Sequence, residues 1–148
     1  EEQTAETPLP VYRIDMPMAR QAAVHEKIGV AATLRSTIEP TCELIERLAR
    51  QAGRSPQMES VVIEGAGELL NEGKTEEYDR VVRAALEKLA ERNDIVVLAQ
   101  ASMARAVAGL PEEERTRYLT SPVSGVEAVL SEVCRKCGWK KKEAALEE

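Results

Sequence analysis

Two short stretches place hydroxyl and amide groups where a small anion can be held: Ala32-Thr33-Leu34-Arg35-Ser36-Thr37 and Gln100-Ala101-Ser102. Each follows an apolar run and precedes a helical pattern. A strand that ends in such a turn delivers it to the carboxyl edge of a sheet, where open α/β sheets bind ligands. Backbone N–H groups at the start of the next helix lack intrahelical partners and lie at the positive end of its dipole, so they donate to a carboxylate or phosphate. Thr33, Ser36, Thr37 and Ser102 add hydroxyls. Gln100 adds an amide that both donates and accepts. Two such turns on one edge suit a small dianion or an amino-acid carboxylate. The plainer reading is that Ser and Thr simply cap helices, as they often do, and spacing alone leaves both readings open.

Other candidates carry less. Cys134-Arg-Lys-Cys137 has the CxxC spacing, but structural zinc needs four ligands, and neither Cys42 nor the single histidine, His25, stands at a paired spacing. A redox CxxC opens a helix, where the dipole lowers the thiol pKa; this one closes a helix. Buried, unreactive thiols are the expectation there and at Cys42, and no metal site is expected. Gly65-Ala66-Gly67 follows a strand, but Leu70 breaks the dinucleotide fingerprint. His25 reads as a helix-end residue. The charge run Glu112 to Arg115 reads as a solvated loop or helix start. Tyr78-Asp79 lies near a helix start, and Tyr78 fits that helix's apolar stripe better than a cleft.

The elements that must position these residues are bounded by composition. A chain of 148 residues, 43% hydrophobic and 31% charged, is one ordinary globular domain. With one Trp, three Tyr and no Phe, its core must be built from Val, Ile, Leu and Ala. The net charge of −6 argues against broad nucleic-acid binding. No apolar run is long enough to span a bilayer. Residues 1–10 carry no secretory pattern, and three cysteines without one suggest reduced thiols and a cytoplasmic setting.

Strands are predicted over Val11 to Asp15, Lys27 to Thr33, Glu59 to Glu64, the apolar run after Asp94, and Tyr118 to Thr120. Between them fall helical patterns. One starts near Met16-Pro17 with Asp15 as cap. A second has capping-box spacing at Ser36 and Glu39 and ends at Gly53. A weak one runs from Gly67 to Asn71. A strong one starts at Thr75, with Tyr78, Val81, Val82, Ala85, Leu86 and Leu89 on one face, and stops at Asn93. A short one runs from Met103 to Val107. The last follows Ser121-Pro122 with Val123, Val126, Val129, Leu130, Val133 and Cys134 as its stripe. Alternating strands and helices predict an α/β fold with a parallel sheet of about four strands flanked by helices. Residues 1–10 read as a disordered lead or linker, 11–138 as the domain and 139–148 as a charged tail.

The order of these elements resembles the second half of the aspartate/glutamate/hydantoin racemase family. The residues that carry the likeness are Val11 to Ala19, Ile28 to Thr37 with Pro40-Thr41, Asp94 to Met103, and Thr120-Ser121-Pro122, spanning residues 11–133. The resemblance implies two similar α/β domains facing each other across a cleft and no cofactor. One cysteine from each domain flanks the substrate's α-carbon; one thiolate removes the α-proton and the other thiol returns one. It also implies that Thr33 and Thr37 match the second-domain threonines near the substrate, that Gln100 stands at the second-domain cysteine, and that Ala101 and Ser102 follow it in the carboxylate-binding neighbourhood.

Two departures follow. An amide does not titrate near neutral pH, so Gln100 cannot act as a proton-transfer base, although it can hydrogen-bond a carboxylate. The family's first domain should precede residue 11, where this sequence has ten linker-like residues, so the chain looks like the C-terminal part of a longer protein or a shortened relative. The expectation is a racemase-like second domain that binds a small carboxylate or amino acid through Thr33, Ser36, Thr37, Gln100, Ala101 and Ser102, with no catalytic residue of its own. In a complete protein it would support cofactor-independent isomerase or lyase-type chemistry. The alternative is a non-enzymatic binding or scaffolding domain that associates, as a homo-oligomer or with a missing first domain, through a face on which Ile14, Met16 and Met18 have lost their cover. Neither nucleic acid nor membrane is an expected partner.

Overall fold

Two runs, Ile28 to Ala32 and Ile95 to Leu98, are buried at every position. A strand without a polar face has to be covered on both sides. They form the centre of the sheet, and the computed structural model, which describes residues 11–137, shows how. β1 (Lys27–Ala32), β2 (Gln57–Val62), β3 (Ile95–Leu98) and β4 (Tyr118–Thr120) lie in the order β2-β1-β3-β4. Every pairing is parallel, with Ala31 level with Leu98 and Ala32 level with Val62. The expected α/β class and four-stranded parallel sheet are observed.

Alternation along β1 and β3 divides the core in two. Ile28, Val30, Ile95 and Val97 face α1 (Met16–Ala22) and α2 (Ile38–Gln51), which contribute Met18, Ala19, Ala22, Leu44, Ile45 and Ala49. On the other face, Ala31, Val96 and Leu98 meet α4 (Thr75–Ala90) through Tyr78, Val82, Leu86 and Leu89, and α5 (Ala104–Ala108) through Ala106 and Val107. Each fully buried aliphatic side chain contributes about 1.5–3 kcal/mol, so β1 and β3 are firmly anchored. Gly29 brings α4 close: a Cβ there would lie 2.7 Å from Leu89 Cγ. α3 (Ala66–Asn71) and α6 (Glu112–Arg115) are short connectors, and α7 (Ser121–Cys137) follows β4 directly.

Several local expectations are corrected. Val11 to Asp15 is not a strand; residues 11–13 have no regular structure and a turn follows. Arg13 and Asp15 are ion-paired there at 2.7 Å, and Ile14 packs where Gly125 of α7 leaves room. Asp15 holds the N-cap position of α1, as expected, but its carboxylate is paired with Arg13 and makes no capping hydrogen bond. The Ser36–Glu39 capping box does not form: a 3-10 turn over Arg35–Thr37 precedes α2, whose N-cap is Thr37. There the Thr37 hydroxyl donates to Leu34 O at 2.8 Å instead of accepting from the helix. Met18 is not uncovered, being 2% exposed, whereas Ile14 is 51% exposed. Half of the α7 stripe is turned outward: Val123, Val126 and Leu130 are exposed, while Val129, Val133 and Cys134 are half-buried. The predicted lead over 1–10, the tail over 139–148 and the side chain of Cys137 lie outside the described residues.

Candidate functional site at the carboxyl edge

Because β1 and β3 are parallel neighbours, their following turns leave the sheet side by side. The ladder between them persists to Ala99 N–H, which donates to Ala31 O at 2.9 Å. β3 then bends into a 3-10 turn over Ala101–Met103, and its backbone no longer faces Thr33. The Gln100 side chain fills the gap. Its Oε1 accepts from Thr33 N at 2.5 Å, Thr33 Oγ1 at 2.9 Å and Leu34 N at 3.2 Å. The two tips are thus clasped by one neutral acceptor in a nest of three donors. Thr33 is 9% exposed and Gln100 is half-buried. A neutral hydrogen bond contributes about 0.5–1.5 kcal/mol net, and a buried donor left without a partner costs about 1–3 kcal/mol.

Beneath the second tip, the Tyr78 hydroxyl lies 3.1 Å from Ser102 Oγ. Tyr78 is fully buried, and this burial, more than the Ser102 bond that opposes it, pushes the phenol pKa up. The adjacent Asp79 pairs with Arg105 of α5 at 2.9 Å. Beside the first tip, Gly67 at the start of α3 approaches Thr33 O. Gly65, at φ +76°, turns the chain there.

The structure therefore brings Thr33, Gln100, Ala101 and Ser102 to one end of β1 and β3. Ser36 is exposed on the 3-10 turn, and Thr37 uses its hydroxyl within that turn. Sequence reasoning missed Tyr78 as the partner of Ser102. The available signal was a tyrosine on a buried stripe, whose hydroxyl needs a polar neighbour. The backbone N–H of Leu34 was also missed, since no side-chain pattern marks it.

The remaining candidates fall elsewhere. Cys42 is half-buried on α2, and burial together with Glu46 raises its thiol pKa, the opposite of an activated thiolate. His25 lies just beyond α1, on an open groove of 310 Å³ shared with Glu26, Lys27, Arg54, Ser55, Pro56 and Gln57. That groove is at the amino end of β1, away from the tips. Among the described residues no group of His, Cys, Asp and Glu is placed to hold a metal ion. No helix among them is long and apolar enough to cross a membrane.

No protein-family model matches this chain, and no curated protein matches it in sequence. Among solved structures, its fold is similar to that of glutamate racemase isoform RacE1 from Bacillus anthracis. The similarity has a TM-score of 0.57 over 93% of this chain, at 19% identity. The chain spans 53% of that racemase's length. At this identity the likeness establishes a racemase-like fold.

Proposed function

We propose that this chain is the second domain of a racemase-like protein and that it holds a small carboxylate or amino acid at the Thr33–Thr37 and Gln100–Ser102 tips. The observation that carries the reading is the Gln100 clasp, which joins two polar tips at the carboxyl end of adjacent buried strands. Such an edge is where α/β sheets place ligands. The racemase-like fold supports the assignment of the edge. Gln100 stands where the family resemblance sets the second cysteine, so the chain supplies contacts to the carboxylate and no base. In a complete protein, proton transfer would come from the other domain, without a cofactor. One-sided chemistry of the isomerase or lyase kind fits such a protein better than two-thiol racemisation.

The test is titration of the isotope-labelled chain with L-aspartate and L-glutamate, followed by NMR. Saturable shifts confined to residues 33–37 and 100–102 are expected; their absence at saturating ligand sinks the proposal. In heavy water, the isolated chain is expected to exchange the amino acid α-proton no faster than a protein-free control.

A second reading, association through an apolar face without chemistry, is favoured by one observation. Val123, Val126 and Leu130 form an exposed stripe on α7, at 64%, 52% and 42% exposure, and exposed apolar patches invite association. Sedimentation equilibrium decides it: a monomer unaffected by Val126→Glu removes its support.

A further inference from the structure

The three donors at the β1 tip fix which way the Gln100 carboxamide faces. Thr33 N and Leu34 N can only donate, and the Thr33 hydroxyl directs its hydrogen to the same atom. An NH₂ group in that seat would face two N–H donors, so the oxygen occupies it. The amide is planar, and Nε2 therefore lies on the side away from the nest. It has no partner among the described residues, on a side chain that is only half-buried. The neighbouring Ser102 hydroxyl can also offer a hydrogen. The buried Tyr78 hydroxyl has only Ser102 Oγ as an acceptor among the described residues. When Tyr78 donates there, the Ser102 hydrogen is left to point elsewhere.

We infer that Gln100 is a specificity-determining residue that turns this edge toward anions: its amide oxygen is spent on the β1 tip, and its two N–H groups, with the Ser102 hydroxyl, meet the anionic end of the ligand. The inference rests on the carboxylate-binding reading above and deepens it. A carboxylate oxygen finds donors here. An ammonium group finds no charged acceptor and no free side-chain amide oxygen among Thr33, Gln100 and Ser102, only hydroxyl and backbone oxygens. The edge recognises the acid end of an amino acid and leaves the amino end to whatever faces it.

Glutarate, which has carboxylates only, and 1,4-diaminobutane, which has ammonium groups only, separate the two ends. NMR titration of the wild-type chain is expected to shift residues 100–102 with glutarate and not with the diamine. Gln100→Ala removes the donor, and Gln100→Glu keeps an oxygen for the nest while replacing the donor with a charge. Both are expected to weaken glutarate binding, by about ten- to a hundredfold for Gln100→Ala and by more for Gln100→Glu. Melting curves identify any variant that fails to fold; Gln100→Glu is expected to keep its fold, because the same three donors hold its carboxylate. Tighter glutarate binding by Gln100→Ala would mean that Gln100 blocks the edge and would overturn the inference. So would unchanged binding by Gln100→Glu, although binding by the wild type would then keep the carboxylate reading intact. If the wild type itself ignores glutarate, aspartate and glutamate, both fall.

Discussion

The central strand pair is tied at both ends by a side chain from around β3 that accepts a backbone N–H of the β1 segment, and the two ties differ in charge. At the amino end, Asp94 Oδ2 accepts from Lys27 N at 2.9 Å, while Asp94 N donates back to Lys27 O. At the carboxyl end, Gln100 Oε1 accepts from Thr33 N, Thr33 Oγ1 and Leu34 N. The amino-end tie is an exposed carboxylate within a charged rim, where Arg92 meets Glu59 at 2.6 Å and Asn93 donates to Glu59 at 2.9 Å. Arg117 adds hydrogen bonds to Ala90 O and Asn93 O. The carboxyl-end tie is a half-buried neutral amide above a tyrosine–serine pair. An anion suffices where only the strand end needs an acceptor. A neutral acceptor closes the other end, so the two ends of the same strand pair differ in charge.

The comparison breaks first at Tyr78. Tyr78→Ala removes a fully buried aromatic from below the carboxyl edge and is expected to cost about 3–5 kcal/mol, measured by denaturant unfolding. Tyr78→Phe is expected to cost about 0.5–1.5 kcal/mol, the worth of the Ser102 bond. Equal losses for the two would show that the hydroxyl, and not packing, anchors this edge.

The ties themselves come next. Gln100→Ala leaves Thr33 N without its acceptor in a buried position, at an expected cost of about 1–3 kcal/mol. Asp94→Ala exposes Lys27 N to water, which takes over the bond, so less than about 1 kcal/mol is expected. Chemical denaturation of both variants tests this order; a larger loss at Asp94 reverses the contrast between the two ends.

The smallest effect is expected in the charged rim. The Arg92 hydrogen bond, followed by that of Asn93, holds the Glu59 carboxyl below the usual range. A lowered folded-state pKa gives a contribution that is fully present above the unfolded value of about 4.3 and fades as pH falls through the folded value. Glu59 is well exposed, at 41% of its side chain, so solvent and salt screen the pair. Melting temperature against pH should show a shallow acid-side loss that Glu59→Gln flattens. An undiminished slope in that variant assigns the loss to other carboxylates.

Much of the fold was legible because periodicity reports burial. Ile95 to Leu98 could only be a strand covered on both faces, and the Tyr78-Val82-Leu86-Leu89 spacing could only bury one side of a helix. Capping was less legible. Ser36 and Asp15 have the right residue types, but nearby partners competed for the same groups: Arg13 took the Asp15 carboxylate, and a 3-10 turn displaced Ser36 from the cap. The Val11 to Asp15 apolar pattern was read as a strand because sequence does not say whether a partner strand is available.

By itself, the sequence determined which segments from Lys27 to Thr120 form the strands of the sheet, that the sheet is parallel, and that Thr33 and Gln100 stand at strand ends, because these follow from local patterns of burial and turn chemistry. Only the tertiary structure decided that Gln100 binds Thr33. Those residues are 67 apart in the chain and meet because β1 and β3 became neighbours in register. Which atom of the amide faces inward is a property of that register, since only the three donors it assembles distinguish oxygen from nitrogen.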